Sequence, residues 1–493
     1  MNREIEELKK EKAALKQALK QEQKKTASLT GKVNELTKEK KALSNKLERR
    51  QKKCGDLKSS LNEELKKKFL TISNPLEMKR IDRHSYPDLI VKFTVEICML
   101  LSGCGFQKVS DLLSYLNNFF QLGLHKIPCA NSIENWVKKS GYNIYHQAPK
   151  EFAEKEYAVI IDESMMLGSE KMFLSLGVEA AKLDNDALKH GDVKVLNIAV
   201  DKTWNSETVK ENLEETEKKA GHRPLYAISD NDSKLSKALR EKGYTWIRDI
   251  GHTMARLIEQ IYSKSEDFTR FSKLTSAVKT REVMRPSSYL LPPRQRTVAR
   301  FMNLSSTISW SMDIYRNFSK LSDEEAGNFG FVKTYYPLVE ELGQVFNCVD
   351  NILKQAKKNG FTKELIAGYV KDIQNSLTHQ GARVQSVKSA LCAYLEEEKE
   401  KLPDEKTCWH CSSDIIESLF GAYKYRRARN PLNGITPYVL VIPLMSAVGH
   451  EAKTSNIDFK NHLESVYMKD LDRWKENVLT ENLAVKRRKI LVA

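Results

Sequence analysis

The sequence predicts a multidomain protein of mixed α+β and α/β class. Three observations predict it. Residues 1–68 carry apolar side chains at an average spacing of 3.5 residues with no proline. Residues 156–252 alternate short apolar runs with helical patterns, and residues 253–405 are helical in pattern almost throughout. At 493 residues the chain is long enough for several cores. A formal charge of +16 suits a polyanionic partner and says nothing about fold. No apolar run reaches membrane-spanning length and no signal peptide is evident, which predicts a cytoplasmic protein without a membrane partner. Eight irregularly spaced cysteines do not make a disulfide framework.

The amino-terminal arm has the simplest pattern. Leu8, Leu15, Leu29, Leu36, Leu43 and Leu57 share one heptad position, broken by Glu22 and Arg50. The partner position carries Ile5, Leu19, Val33 and Leu47, alternating with Lys12, Thr26 and Lys40. This predicts a parallel coiled coil that makes a homodimer, with polar seam residues weakening it and fixing register. Residues 1–70 hold 21 Lys+Arg against 11 Asp+Glu, a net of +10, so the rod also suits DNA phosphates. Gly31 and Gly55 mark expected weak points or hinges.

Residues 69–145 read as a helical DNA-binding domain of helix-turn-helix type. Residues 88–102 form a buried helix through Leu89, Ile90, Phe93, Val95, Ile97, Leu100 and Leu101, ended by Gly103 and Gly105. Val109–Phe120 forms a second helix with Ser110 as its cap. A third follows Pro128, capped by Asn131 or Ser132, with Glu134 in its first turn. Trp136 and Val137 face inward there. Asn135, Lys138 and Lys139 face outward as candidate DNA contacts. An ordinary three-helix bundle has the same pattern.

Residues 156–252 then change period. Strands at 157–161, 172–178 and 193–200 are followed by a helix from Asn205 to about Lys219, closed by Gly221. A strand at 225–229, a helix from Ser233 to Glu241 and a strand at 244–247 complete the run. Short turns favour antiparallel pairing of the first three strands, and the strand–helix–strand units favour parallel pairing of the rest. Asp162 ends the first strand and Asp230 the fourth. Glu417 lies in the later helical pattern Ser413–Phe420. Acids at one sheet edge can hold two divalent cations for phosphodiester chemistry. Glu163 is a rival of Asp162, but strand alternation sends it to the other face. Asp232 rivals Asp230, and it or Ser233 caps the next helix. Asp414 rivals Glu417 and reads better as an amino-terminal charge.

This strand order is that of the ribonuclease H fold. With Asp249-Ile250-Gly251-His252, the long helical insertion at 253–405 and the Ser413-x-x-x-Glu417-Ser418 pattern, the chain resembles DDE-type transposases of bacterial insertion sequences. The D-x-x-H element and the insertion are similar to those of Mutator- and hAT-like groups. The resemblance covers roughly residues 85–490. It implies a ribonuclease H-like core split into 156–252 and a Glu-bearing helix at 406–430. It implies catalysis by Asp162, Asp230 and Glu417 with two Mg²⁺ ions, for which Mn²⁺ substitutes. Water cuts the transposon end, and the freed 3′-hydroxyl attacks target DNA.

His252 is expected beside the acids, orienting near the scissile phosphate or paired structurally with Asp249. Lys424, Arg426 and Arg427 continue the Glu417 helix as a basic strip for phosphates. Trp310 is either a core residue of the insertion or, by resemblance to hAT-like enzymes, an aromatic that stacks on an unstacked base. Cys408-Trp409-His410-Cys411 looks like half a zinc site without its second half. Residues 431–493 read as helical with a flexible basic tail at 486–489. The implied partners are double-stranded DNA, both terminal inverted repeats and target, and a second copy of the chain. The implied place is the bacterial nucleoid. A structure-specific nuclease on the same core, or a catalytically silent dimeric DNA-binding protein, remain alternatives.

Overall fold

The computed structural model describes residues 2–72, 81–82, 84–101, 104–163, 170–182, 184–294, 301, 304–378, 381–426, 434–448, 455–481 and 483–492. The chain divides into two compact units, Met1–Glu77 with Leu116–His125, and Met78–Tyr115 with Lys126–Ala493. The first unit contains α1 (Asn2–Ile72), a single 71-residue helix. It runs unbroken through Gly31 and Gly55, so neither acts as a hinge. Each glycine costs about 1 kcal/mol relative to alanine, too little to interrupt a helix of this length. Its seam leucines lie in the open, with Leu15 at 67% and Leu43 at 66% exposure.

In chain order α2 (Asp88–Leu100), α3 (Phe106–Phe120) and α4 (Ala130–Gln147) follow. The expected helices are present, with three corrections. The buried face of α2 is Ile90, Val91, Thr94, Val95, Cys98 and Met99, whereas Leu89, Phe93 and Leu100 are exposed. The 3.6-residue period places 91, 95 and 98 on one stripe and leaves 89, 93 and 100 off it. Ser110 lies inside α3, where its Oγ donates to the Pro128 carbonyl at 2.7 Å instead of capping. Cys129 occupies the cap position of α4, in place of Asn131 or Ser132.

α4 belongs to the same compact unit as the sheet and does not stand apart as a separate reader domain. A Cβ at Gly141 would meet the Leu440 carbonyl oxygen at 1.9 Å, so the two backbones touch. Tyr145, one turn further on, is buried and its hydroxyl donates to Asn197 at 3.3 Å.

The sheet is built from β1 (Tyr157–Glu163), β2 (Lys171–Glu179), β3 (Lys194–Asp201), β4 (Tyr226–Ser229) and β5 (Trp246–Arg248). Its strand order is β3-β2-β1-β4-β5. β1 pairs antiparallel with β2, and β2 with β3, while β1–β4 and β4–β5 are parallel. The pairing senses expected from loop length are all present. α5 (Ser206–Ala220) opens on Asn205, whose side chain accepts from the Thr208 amide, and closes on Gly221 at φ +88°. Only glycine adopts that left-handed backbone without penalty. α6 (Ser233–Glu241) follows β4.

Strand alternation gives the sheet two cores. Tyr157, Val159 and Ile161 face α5 and α6, together with Val209, Leu213, Leu235 and Leu239. Ala158, Ile160, Tyr226, Ile228 and Ile247 face the helical mass on the other side. That mass includes α4, the helices near the carboxyl end and, after β5, α7 (Ile250–Tyr262), α8 (Glu266–Glu282), α9 (Leu304–Arg316), α10 (Asp323–Thr334), α11 (Tyr336–Asn359), α12 (Lys363–Ser376) and α13 (Ala382–Glu400). Arg383 of α13 ties it together, reaching Asp267 of α8 at 2.7 Å and Glu341 of α11 at 3.0 Å. α13 also covers the β5 edge. Its Tyr394 hydroxyl donates to the Arg248 carbonyl at 3.1 Å, and Arg248 pairs with Glu398 at 2.6 Å. Covering an edge in this way removes a template for aggregation.

The chain then returns to the sheet. Trp409 stacks on Tyr226 with ring centroids 4.3 Å apart, and Ile250 N donates to the Cys411 carbonyl at 3.0 Å. Cys408 and Cys411 donate to the Asn359 and Ala356 carbonyls at the end of α11. α14 (Asp414–Arg426), α15 (Val441–Val448), α16 (Phe459–Ser465), α17 (Met468–Val478) and α18 (Leu483–Val492) complete the chain. The basic run 486–489 lies in α18, so the expected flexible tail is helical there, and Lys489 pairs with Glu481. Among the described residues no helix is long and apolar enough to cross a membrane.

Candidate active site

β1 runs two residues further than its apolar run suggests. Glu163 and Asp162 pair with Phe173 and Leu174 of β2, so Asp162 lies within the strand instead of past its end. Alternation turns the two acids apart. Glu163 sits on the α6 side and pairs with Lys171 at 2.9 Å and Lys234 at 3.0 Å. Asp162 shares the parity of Ala158 and Ile160, on the side of the returning α14.

The parallel β1–β4 register matches Ala158 with Tyr226 and Ile160 with Ile228. Carried on by two residues, it sets Asp162 beside Asp230. Adjacent strands lie about 4.8 Å apart, so these two carboxylates repel. Burial pushes the Asp162 carboxyl well above the usual carboxylate range, and the charges of Asp230 and Glu417 push the same way. Burial also raises Asp230, against the pull of the Asp232 amide and of His252. Asp232 takes the expected capping role, its side chain accepting from the Lys234 amide at 2.8 Å. Its own amide donates to Asp230 Oδ1 at 3.0 Å, which fixes the turn after β4.

Asp249 is the hub between the two halves of the site. It is fully buried at the end of β5 and caps α7, accepting from the His252 amide at 2.7 Å. Its Oδ1 also accepts from His252 Nδ1 at 3.0 Å. Its Oδ2 accepts from the Ser413 amide at 2.6 Å and the Ser413 hydroxyl at 3.0 Å. Burial opposes ionisation of Asp249, but these donors and the His252 charge hold its carboxyl below the usual range. His252 Nε2 in turn meets Glu417 Oε1 at 3.1 Å. Burial alone would keep the imidazole neutral. The bonds to Asp249 and Glu417 outweigh it and push the ring up to about 11, an imidazolium at neutral pH. One carboxylate thus joins the end of β5, the start of α7 and the entry to α14 across the whole insertion.

α14 is anchored as its pattern predicts, with Ile416 and Leu419 at 0% exposure and Glu417 in its first turn. Asp414 pairs with Lys357 of α11, away from the other acids. The remaining predicted contacts divide. Asn135, Lys138 and Lys139 are half-buried on α4, and Lys138 pairs with Glu134 at 3.1 Å. Trp310 packs against Phe329 in a satellite core of the insertion, its indole donating to the Leu290 carbonyl at 2.8 Å. Lys424 lies over the Phe420 ring at 5.8 Å. Arg427 lies outside the described residues.

Arg426 turns inward instead of continuing a basic strip. Its Nη2 donates to the Met99 carbonyl at 2.6 Å, closing the end of α2. Arg426→Ala should therefore cost stability, about 1–3 kcal/mol for a charged hydrogen bond lost from a covered carbonyl. Urea unfolding measures this.

Beside Asp230 and His252 opens a cavity of about 400 Å³, lined also by Arg256, Glu259 and Phe301. Phe301 is 2% exposed and packs on Phe268 at 5.0 Å. It also borders a second cavity of about 380 Å³ toward α11. Arg256 donates to the Asn231 carbonyl at 2.7 Å. Arg256 is the site residue that pattern reading missed, and Ser413 was read there only as part of a motif. An arginine seven residues past the strand-end acid Asp249 was the available signal for Arg256, because α7 carries it back over the Asp230 turn.

The donor set suits a hard divalent cation in chemistry, since two neighbouring carboxylates with raised pKa values gain most from an added positive charge. As placed, Glu417 commits Oε1 to His252, and among the described residues no three acidic, histidine or cysteine donors stand close enough together to hold a metal. No protein-family model matches this chain, and no curated protein matches it.

Proposed function

We propose that this chain is a DNA transposase of DDE type on a ribonuclease H-like core. The supporting observation is the β1–β4 register that brings Asp162 beside Asp230, with Glu417 delivered to the same sheet edge by α14. In this reading Asp162, Asp230 and Glu417 hold two Mg²⁺ ions, with Mn²⁺ as a substitute. Bound there, the ions supply activation of the attacking oxygen and stabilisation of the leaving oxygen. Burial, with the charges of Asp230 and Glu417, disfavours the ionised form of Asp162, and burial disfavours that of Asp230, so a bound cation would favour both carboxylates. Asp249 orients His252, and His252 steers Glu417 and presents a positive charge near the phosphate. The coiled-coil arm pairs two subunits on two DNA ends in the nucleoid, and the chain's +16 charge attracts the duplex.

Glu417→Ala should retain binding to terminal inverted-repeat DNA while losing Mg²⁺-dependent strand cleavage. A cleavage assay on end-containing duplexes, with a 3′-end joining step, measures this. Normal cleavage by the variant would overturn the reading, and cleavage by the wild type without joining would assign a structure-specific nuclease. A second reading is favoured by the Glu417–His252 pairing, which draws Glu417 from the two aspartates. In it the chain is a catalytically silent DNA-binding dimer, and the wild type binds ends without cutting them in any divalent metal.

A further inference from the structure

α7 presents two basic side chains to the cavity beside Asp230. His252 and Arg256 are four residues apart, so they share one face of the helix with Ala255 and Glu259. The opposite stripe, Ile250, Met254, Ile258 and Tyr262, is at 0% exposure and fixes the helix against the core. The Asp249 cap fixes its start. Arg256 therefore enters the cavity from a held element, one helical turn, about 5.4 Å, beyond His252.

Three carboxylates line the same cavity, those of Asp230, Asp232 and Glu259. Among the described residues Arg256 pairs with none of them, and its one hydrogen bond runs from Nη1 to the Asn231 carbonyl at 2.7 Å. His252, the other cation of the lining, is committed to Asp249 and Glu417. A guanidinium carries five N–H donors in a planar fork, so most of the Arg256 fork and its whole charge stay uncommitted. The Asn231 bond sets that fork one residue from Asp230. Asn231 is itself tied to α7, its Nδ2 donating to Thr253 Oγ1 at 2.8 Å. The turn that carries Asp230 and the helix that carries His252 and Arg256 thus brace each other.

We propose that Arg256 binds the phosphodiester next to the cleaved one, on the strand whose scissile phosphate lies at Asp230 and His252. A cavity lined by carboxylates repels a polyanion unless a cation faces it, and Arg256 is the cation that those carboxylates leave unpaired. Its fork matches the two non-bridging oxygens of a phosphodiester. Such a contact positions the strand and carries no sequence information. The inference rests on the proposed function for the identity of the ligand as DNA.

The test is binding of the full chain to a duplex of the terminal inverted-repeat DNA that flanks the gene, in EDTA so that nothing is cut. Arg256→Gln should weaken binding at least about tenfold, as expected for a lost charged hydrogen bond. The slope of log K against log salt should fall by about 0.9, the share of one phosphate. Arg256→Lys should restore the slope and only part of the affinity, because an ammonium keeps the charge and loses the fork. A series of duplexes with one neutral methylphosphonate per position then locates the contact without altering the protein. At the phosphate next to the cut, the wild type should bind no better than Arg256→Gln, and the variant should lose nothing further. A merely structural role makes the two losses add at every position. Additive losses throughout, or an unchanged salt slope, would overturn the proposal. Non-additivity at one phosphate in a wild type that never cuts in Mg²⁺ would keep the contact and overturn the enzymatic reading alone. A wild type that does not bind the duplex would overturn both.

Discussion

Asp162→Asn should abolish Mg²⁺-dependent cleavage of end DNA while leaving duplex binding intact. The expected loss is at least about 10³-fold, or about 4 kcal/mol of transition-state stabilisation at 1.4 kcal/mol per tenfold. The substitution keeps the shape of the side chain and removes its charge, so it separates a metal-holding role from a packing role. Strand cleavage in Mg²⁺ and in Mn²⁺, with binding measured on the same DNA, reads the outcome. Activity within tenfold of wild type would remove Asp162 from the chemistry.

The same variant has a second readout that needs no turnover. Because folding raises the Asp162 pKa through burial and through Asp230 and Glu417, its ionised form is disfavoured in the native state. Its contribution to stability is fully present below the unfolded value, about 3.9, and is lost as pH rises through the folded value. At neutral pH without divalent metal, Asp162→Asn should therefore unfold at a higher temperature than the wild type. Addition of Mg²⁺ should reverse the order. A ligand at a hundred times its Kd stabilises the native state by about 2.7 kcal/mol, and the asparagine variant forgoes most of that. Thermal melts with and without Mg²⁺ measure both effects. A wild type indifferent to Mg²⁺ would favour the silent DNA-binding reading.

The sheet was legible because its signals are local. Each strand is a short apolar run, and Asn205 and Gly221 announce the ends of α5 by capping and by a left-handed turn. The positions of Asp162 and Asp230 follow from those runs, and their adjacency follows from the β1–β4 register. Burial along α2 and the role of α4 were not legible in the same way. A helix that packs on several sides shows no clean polar face, so Lys138 and Arg426 read as exposed cations when each has a partner within the protein. The contacts of Ser413 depend on where a long insertion returns the chain, which no local pattern encodes. Asp249 and Ser413 are 164 positions apart and in direct contact.

That contact makes Asp249 the most consequential structural residue of the site. Asp249→Ala should destabilise the protein by about 3–5 kcal/mol, the usual cost of leaving a buried charge without its partner. Four donors lose their acceptor at once, namely the His252 ring, the His252 amide at the start of α7, and the amide and hydroxyl of Ser413 before α14. The folded pKa of Asp249 lies below its unfolded value, so its stabilisation is present above about 3.9 and is lost as pH falls through the folded value. The gap between wild type and Asp249→Ala in urea unfolding should therefore be widest near neutral pH and close in acid. Asp249→Asn should recover only part of it, because an amide offers one acceptor oxygen where the fold uses two. In either variant His252 loses the bond that orients its ring, and Glu417 loses a positioned cation at 3.1 Å. Cleavage should fall by about 10–100-fold even at temperatures where the variant is folded, the range typical of lost second-sphere support. A folded Asp249→Asn with wild-type cleavage would leave Asp249 as a brace for α7 and α14 alone.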